Sequence, residues 1–251
     1  MTAIASLDSH KSSYTADFQF YEENRMVHAA YGAKIAEHID ASSAGAVLSL
    51  GIGHTEVARA ILSRLGTGRF SRYVVVDAAP QIIEDFRASI TPLPVGLELV
   101  EAYFEDYDSA SRFDLIEAGF ILEHVDDPGL VLRRLQQLLA PDGRIFIAVP
   151  NARSLHRLIG HLSGFLPDMH KLSPADLALG HKRYFDLASL RSLVQDCGYR
   201  VIKAEGMLLK PFTTTQLNAL NLAPAVWQAL LQVSADYPEI SNSIYLEVAA
   251  S

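Results

Sequence analysis

From residue 46 to residue 149 the chain repeats one pattern: a short apolar run, a turn, then a stretch with apolar residues three and four apart. The runs are Ala46–Leu50, Arg72–Asp77, Leu97–Val100, Phe113–Ile116 and Arg144–Val149. Glu56–Leu65, Pro80–Ile90 and Pro128–Leu139 are the helical stretches between them. Strands this short and apolar, separated by helices, pair in parallel and bury both faces. Right-handed crossovers then place helices on both sides of a single sheet, giving a doubly wound α/β sandwich. Beyond Pro150 the pattern loosens. A helix over Leu187–Cys197 ends at Gly198, Tyr199–Met207 is a sixth strand, Pro211–Tyr237 is a helical insertion and Ser243–Ala249 is a seventh strand. Ahead of the sheet, Ser12–Ile39 has the spacing of one or two amphipathic helices. The predicted organisation is one domain over 1–251. It has a helical cover over 1–44, a core over 45–150, a cap over 151–186 and the rest of the sheet over 187–251, with an insertion at 211–237.

Composition removes several classes of function. Twenty-one Lys and Arg stand against 29 Asp and Glu, a net charge of −8, which argues against DNA, RNA or an anionic membrane surface as partner. The single Cys197 excludes a disulfide scaffold and a multi-Cys zinc site. No apolar run is long enough to cross a bilayer, and the first residues lack the basic start and apolar centre of a signal peptide. The expectation is a soluble, cytoplasmic protein with a small-molecule ligand and no nucleic-acid or membrane partner. A homodimer is the assembly left open.

The first chemistry lies in Val47-Leu48-Ser49-Leu50-Gly51-Ile52-Gly53-His54-Thr55. Glycines at 51 and 53, after a strand and before a helix, let the backbone approach a ligand, and the helix N-terminus favours an anionic group. Asp77 ends the next strand, 26 residues beyond Gly51, where a carboxylate can accept hydrogen bonds from both ribose hydroxyls. Strand, G-x-G, helix, strand and terminal acid together indicate a nucleoside-containing cofactor. The third glycine of G-x-G-x-x-G is Glu56, which weakens NAD, and no P-loop pattern is present.

From about Val47 to Val201 the chain resembles the class I S-adenosylmethionine-dependent methyltransferases. Three segments carry the resemblance. One is the glycine run above. Another is Phe104-Glu105-Asp106 with Phe113-Asp114-Leu115-Ile116 and Leu122-Glu123-His124-Val125-Asp126-Asp127-Pro128. The third is Leu139-Ala140-Pro141-Asp142-Gly143-Arg144, Val149-Pro150-Asn151 and Gly180-His181-Lys182-Arg183-Tyr184-Phe185. The Leu-Glu-His-Val run and the Pro-Asp-Gly turn are similar to those of ubiquinone-type O-methyltransferases and many natural-product enzymes. The resemblance implies a Rossmann-like methyltransferase fold: seven strands, mostly parallel, the last antiparallel, with N-terminal helices and a helical cap. It implies methyl transfer from S-adenosylmethionine to an oxygen or nitrogen of a small molecule. Gly51 and Gly53 would face the methionine portion, Asp77 the ribose, and Ala78 with Ala79 the adenosine. Glu105 or Asp106 would sit near the adenine amino group, Phe104 beside the ring, and Ala118 and Gly119 at the methionine backbone. Two positions depart from the pattern: Ser49 stands where an acid is common, and Thr55 where a third glycine is. The rival readings are an NAD-dependent oxidoreductase and a non-catalytic cofactor-binding protein.

For the chemistry itself, His124 and His181 are the candidate bases, since a neutral imidazole can take a proton from an acceptor during transfer. In the ubiquinone-type enzymes a Glu three residues before the Glu-His pair joins it in binding a metal. Here that position is Phe120, so no metal is expected. The segment Asn151–Lys210 carries nine Lys or Arg against five acids. Arg153 and Arg157, four apart on one predicted helix, and Arg183 are candidates for binding an anionic substrate, against the plainer reading of a solvated basic face. In related methyltransferases a helix at the N-terminus closes over the cofactor, and the resemblance makes Tyr14, Phe18, Phe20, Tyr21 and Arg25 candidates for that role against plain core packing, Tyr21 and Arg25 being assigned to substrate. Phe212 and Trp227 are alternative lining residues.

Overall fold

The computed structural model describes residues 18–42 and 45–251; Tyr14 lies outside them. A long helix, α1 (Tyr21–Ala41), leads into β1 (Ala46–Leu50), α2 (Thr55–Leu62), β2 (Arg72–Asp77), α3 (Pro80–Ser89), β3 (Leu97–Glu101) and β4 (Phe113–Gly119). Then come α4 (Pro128–Leu138), β5 (Leu139–Pro150), α5 (Leu155–Leu162), α6 (Pro174–Ala178) and α7 (Leu187–Asp196). The chain closes with β6 (Tyr199–Met207), α8 (Thr214–Ala219), α9 (Pro224–Ser234) and β7 (Ser243–Ala250).

The seven strands form one sheet in the order β3-β2-β1-β4-β5-β7-β6. The first five are parallel, and β7 inserts antiparallel between β5 and β6. The expected seven-stranded, doubly wound sheet with an antiparallel last strand is present. Its two faces follow from the two-residue period of a strand. Leu48, Leu50, Val74, Val76, Ile116, Ile145 and Ile147 pack on one side with α4 and α7. Val47, Tyr73, Val75, Leu115 and Phe146 pack on the other with α1, α2 and α3. Local chemistry sets the helix starts. Pro80, Pro128 and Pro224 sit in the first turn, where a missing N–H is harmless. Asp127 and Asp186 accept from Leu130 N and Ser189 N to cap α4 and α7.

Several expectations need correction. The fourth strand runs on to Gly119, so Ala118 is a buried strand residue rather than part of the loop beyond. The Pro141–Gly143 turn is an excursion within β5. Phe113 pairs with Leu139 and Leu115 with Arg144, so residues 140–143 bulge out opposite Asp114. The insertion at 211–237 is two short helices. Arg153 and Arg157 do not share a helix, because α5 begins only after Ser154. Among the described residues no helix is long and apolar enough to cross a membrane.

Strand order reverses between β1 and β4, and the crevice outside their carboxyl ends is where such sheets bind ligands.

Candidate active site

A cavity of about 590 Å³ opens at that crevice, between α1 on one side and the cap on the other. Its inner end is the turn after β1. Gly51 and Gly53 have φ of 81° and 44°, in the left-handed region that glycine enters without strain. The Gly51 N–H donates to the Val76 carbonyl at 2.7 Å. Asp77 is 8% exposed, and its two carboxylate oxygens accept from Ile52 N and Ala79 N, each at 2.9 Å. The acid therefore braces the glycine turn against the start of α3. Ala78, Ala79, Phe104, Glu105 and Gly119 line the same cavity. Ala118 and Asp106 do not: Ala118 points into the core under the sheet, and Asp106 is exposed.

Ser49 is bonded to the Tyr73 hydroxyl at 2.9 Å, and its register partner on β4 is Glu117. That glutamate lines the cavity, accepts from Gly119 N at 2.7 Å, and has its carboxyl pushed up to about 7 by burial. A carboxylate thus stands one strand over from position 49.

The face of α1 toward the cavity carries Phe20, Glu23, Asn24, Val27 and His28, the three- and four-residue period of a helix. Tyr21 and Arg25 fall one residue off that face and are not at the cavity wall. Tyr21 lies against the His54 ring at 5.8 Å, and Arg25 pairs with Glu56 at 3.0 Å and Glu22 at 3.3 Å. His28 packs between Phe120 at 4.3 Å and His54 at 4.7 Å, and burial drives its pKa down to about 3, with His54 adding to the effect. Glu23 accepts from Lys210 Nζ at 2.6 Å and Thr214 Oγ1 at 2.6 Å, all three buried, which pins α1 to the insertion after β6.

The outer wall comes from the turn after β4 and the cap. Glu123 is 1% exposed, neither carboxylate oxygen has a hydrogen-bond partner, and burial pushes its carboxyl up to about 7. His124 and His181 pack edge to face with ring centres 4.8 Å apart. His181 Nδ1 lies 3.4 Å from the Asp176 carboxylate. Burial opposes ionisation of Asp176, but bonds from His181, Ser173 and Tyr184 outweigh it and hold the carboxyl below its ordinary value. The two predicted bases meet although they are 57 residues apart in the chain.

The predicted anion-binding cations are engaged elsewhere. The Arg183 guanidinium donates to the carbonyls of Leu122 at 3.1 Å, Val125, and Asp126 at 3.0 Å, stitching the Glu123 turn together. Arg157 reaches the cavity wall, but it donates to the carbonyls of Met169 at 2.6 Å and Lys171 at 2.7 Å and stacks on Tyr184 at 4.2 Å. Arg153 lines a separate recess with Asp186 and Arg191. Backbone carbonyls of the loop between α5 and α6 and of the turn after β4 took the charges that the sequence offered to a substrate. Phe212 and Trp227 are absent from the cavity wall, while Phe20 is on it. The Tyr199–Lys203 pair has the Tyr-x-x-x-Lys spacing of short-chain dehydrogenases. It lies along β6, with the Tyr199 hydroxyl buried on the Leu132 carbonyl at 2.7 Å, so it offers nothing to an NAD reading.

Glu23, His28, Glu117, Asp176, Tyr184 and Lys210 are cavity residues that sequence reasoning passed over. Glu117 alone had a signal, its place on a strand next to the glycine turn.

The family described as a methyltransferase domain matches residues 21–204. The ubiquinone biosynthesis O-methyltransferase of Xanthomonas axonopodis pv. citri is 26% identical over 174 residues, 66% of this chain and 67% of that protein. Among solved structures, the 1,6-didemethyltoxoflavin-N1-methyltransferase of Burkholderia thailandensis, with 1,6-didemethyltoxoflavin and S-adenosylhomocysteine bound, aligns with a TM-score of 0.62. That alignment is 18% identical and covers 100% of this chain and 92% of that one. The N-methyltransferase NodS of Bradyrhizobium japonicum, also with S-adenosylhomocysteine, gives a TM-score of 0.57 at 10% identity, covering 98% and 97%. At these identities the structures speak for the fold, and the family match, the glycine turn and Asp77 speak for the cofactor. The chain belongs to the methyltransferase-domain family and is a class I S-adenosylmethionine-dependent methyltransferase.

Proposed function

We propose that this enzyme works in the cytoplasm, methylating an oxygen or nitrogen atom of a small molecule held between α1 and the His124–His181 wall. The observation that carries the reading is one continuous cavity with the glycine turn and Asp77 at one end and two imidazoles at the other. The cofactor, when bound, supplies a methyl group already electrophilic on a sulfonium. The protein's part is therefore placement, exclusion of water and disposal of a proton. Gly51 and Gly53 admit the methionine portion to the backbone, Asp77 accepts the ribose hydroxyls, and Phe104, Ala78 and Glu105 border the adenine. Glu117, with no cation paired to it among the described residues, is the carboxylate placed for the cofactor's ammonium. His124 or His181 takes the acceptor's proton. With Arg157 and Arg183 committed to carbonyls and Lys210 to Glu23, the acceptor favoured is one without a strong negative charge. The O-methyltransferase activity of the curated relatives supports oxygen as its nucleophilic atom.

The test is methyl transfer from labelled cofactor to a panel of phenols, alcohols and amines, with the variants His124→Ala and His181→Ala. One of these should lose roughly 10²–10⁴ in kcat while cofactor affinity holds, the range for a positioned base. Full activity in both variants would remove the imidazoles from catalysis.

A further inference from the structure

We infer that Asp176 is a positioning residue that makes His181, rather than His124, the base that takes the acceptor's proton; this rests on the proposed function and deepens it. His181 comes from the stretch between α6 and α7, and its side chain is 8% exposed at the cavity wall. Its buried Nδ1 has no tighter partner among the described residues than Asp176 Oδ1 at 3.4 Å. Before substrate binds, a base is often held by a long contact of this kind, which tightens in the reacting complex. The backbone ties the pair together as well, since the His181 N–H donates to the Asp176 carbonyl at 2.9 Å.

Asp176 is built to keep both its position and its charge. Its Oδ2 accepts from the Ser173 N–H and hydroxyl, each at 2.6 Å, which completes the cap of α6. Oδ1 has no part in that cap and meets Tyr184 and His181 instead. The Tyr184 hydroxyl donates to it at 2.9 Å. Arg157 donates to that hydroxyl at 3.2 Å and stacks on the ring, which leaves the phenol's own proton for the carboxylate. Burial works against ionisation of Asp176, and the bonds from His181, Ser173 and Tyr184 overcome it. An ionised carboxylate beside Nδ1 selects the tautomer protonated there and leaves Nε2, across the ring, as the acceptor. In the reaction the acceptor's O–H proton passes to Nε2 as its oxygen bonds to the methyl carbon, and the electron pair of the sulfur–methyl bond returns to sulfur. The imidazolium that forms is stabilised by Asp176, and it gives its proton to water once product leaves.

The first measurement needs no turnover. In the full chain with ¹⁵N-labelled histidine, the ring signals that vanish in His181→Ala should show Nδ1 protonated and Nε2 bare in the neutral ring. The two Ser173 donors keep the oxygen of Asp176→Asn on their side, so its amide N–H faces His181 Nδ1 and should invert the tautomer. The second measurement is kinetic, with whichever phenol, alcohol or amine the parent methylates fastest. Asp176→Asn should lose about 10²–10⁴ in kcat, as much as His181→Ala and more than His124→Ala, with S-adenosylhomocysteine affinity held. The double variant of Asp176→Asn and His181→Ala should lose no more than His181→Ala, because Asp176 acts through that ring. A parent ring protonated on Nε2, full kcat in Asp176→Asn, or losses that multiply in the double variant would each overturn the inference. A loss in His124→Ala with none in His181→Ala would overturn it too, while leaving the proposed function standing. If the parent methylates nothing in the panel, the proposed function falls, and the ring tautomer alone decides whether Asp176 sets His181. Should Asp176→Asn fail to fold, the parent's tautomer decides in the same way.

Discussion

Replacing Asp77 by Ala tests the link between the glycine turn and the cofactor, because the carboxylate has two duties. Its oxygens accept from Ile52 N and Ala79 N, each at 2.9 Å, at a site 8% exposed. Hydrogen bonds to a charged acceptor contribute about 1.5–3 kcal/mol each. Because the cavity lets water reach the orphaned N–H groups, the lower figure is the better guide, or about 3 kcal/mol for the pair. A chain of this size loses roughly 2–4 °C in Tm per kcal/mol, so Asp77→Ala should melt about 6–12 °C lower before any cofactor is added. Asp77→Asn keeps one acceptor oxygen and should lose about half as much. Calorimetric titration of S-adenosylhomocysteine into Asp77→Ala should then show affinity down by a further ~1–3 kcal/mol, the loss of the ribose bonds. The measurement pairs differential scanning fluorimetry with that titration at one pH. An unchanged Tm would refute the bracing role read from the geometry, and an unchanged affinity would remove Asp77 from the ribose site.

Two further variants probe the same crevice. Gly51→Val places a β-branched residue at φ 81° and should cost ~1–3 kcal/mol of stability while abolishing S-adenosylhomocysteine binding. The new Cβ itself would meet Ile121 and Phe104 at only 3.6 and 3.8 Å, so binding is lost through strain and the valine methyls, and normal affinity would show that the turn does not face the ligand. Glu117→Gln should change the pH dependence of stability. The folded carboxyl is pushed up to about 7, above its ordinary value, so the stability it contributes is full below the unfolded pKa and is lost as pH rises through about 7. The difference in Tm between Glu117→Gln and parent, both cofactor-free, should grow in favour of the variant from about pH 5 to about pH 8, and a flat difference would sink the assignment.

The sheet and the glycine turn were legible in the sequence because their determinants are local. A two-residue period, a Pro in a first turn, and two glycines between a strand and a helix act within a few residues, and right-handed crossovers leave little freedom in assembling them. Asp77 could be found for the same reason, from its place at the end of a strand. The face of α1 could not, because its aromatic and charged residues gave no sign which stripe meets the cavity; Tyr21 and Arg25 lie one residue off the stripe of Phe20, Asn24 and His28. The fate of the basic segment was equally hidden. A guanidinium binds a substrate anion or a stray carbonyl with the same donors, and only the folded cap shows that Arg157 and Arg183 meet carbonyls. Pairs such as Glu23 with Lys210, 187 residues apart, and Glu123 with His181 depend on where the insertion and the cap come to rest. The sequence by itself determined the βα alternation, the glycine turn and the acid that ends β2, since each is written in neighbouring residues. The tertiary structure decided the outer half of the site, since a buried carboxylate acquires its meaning from groups that only folding brings within reach.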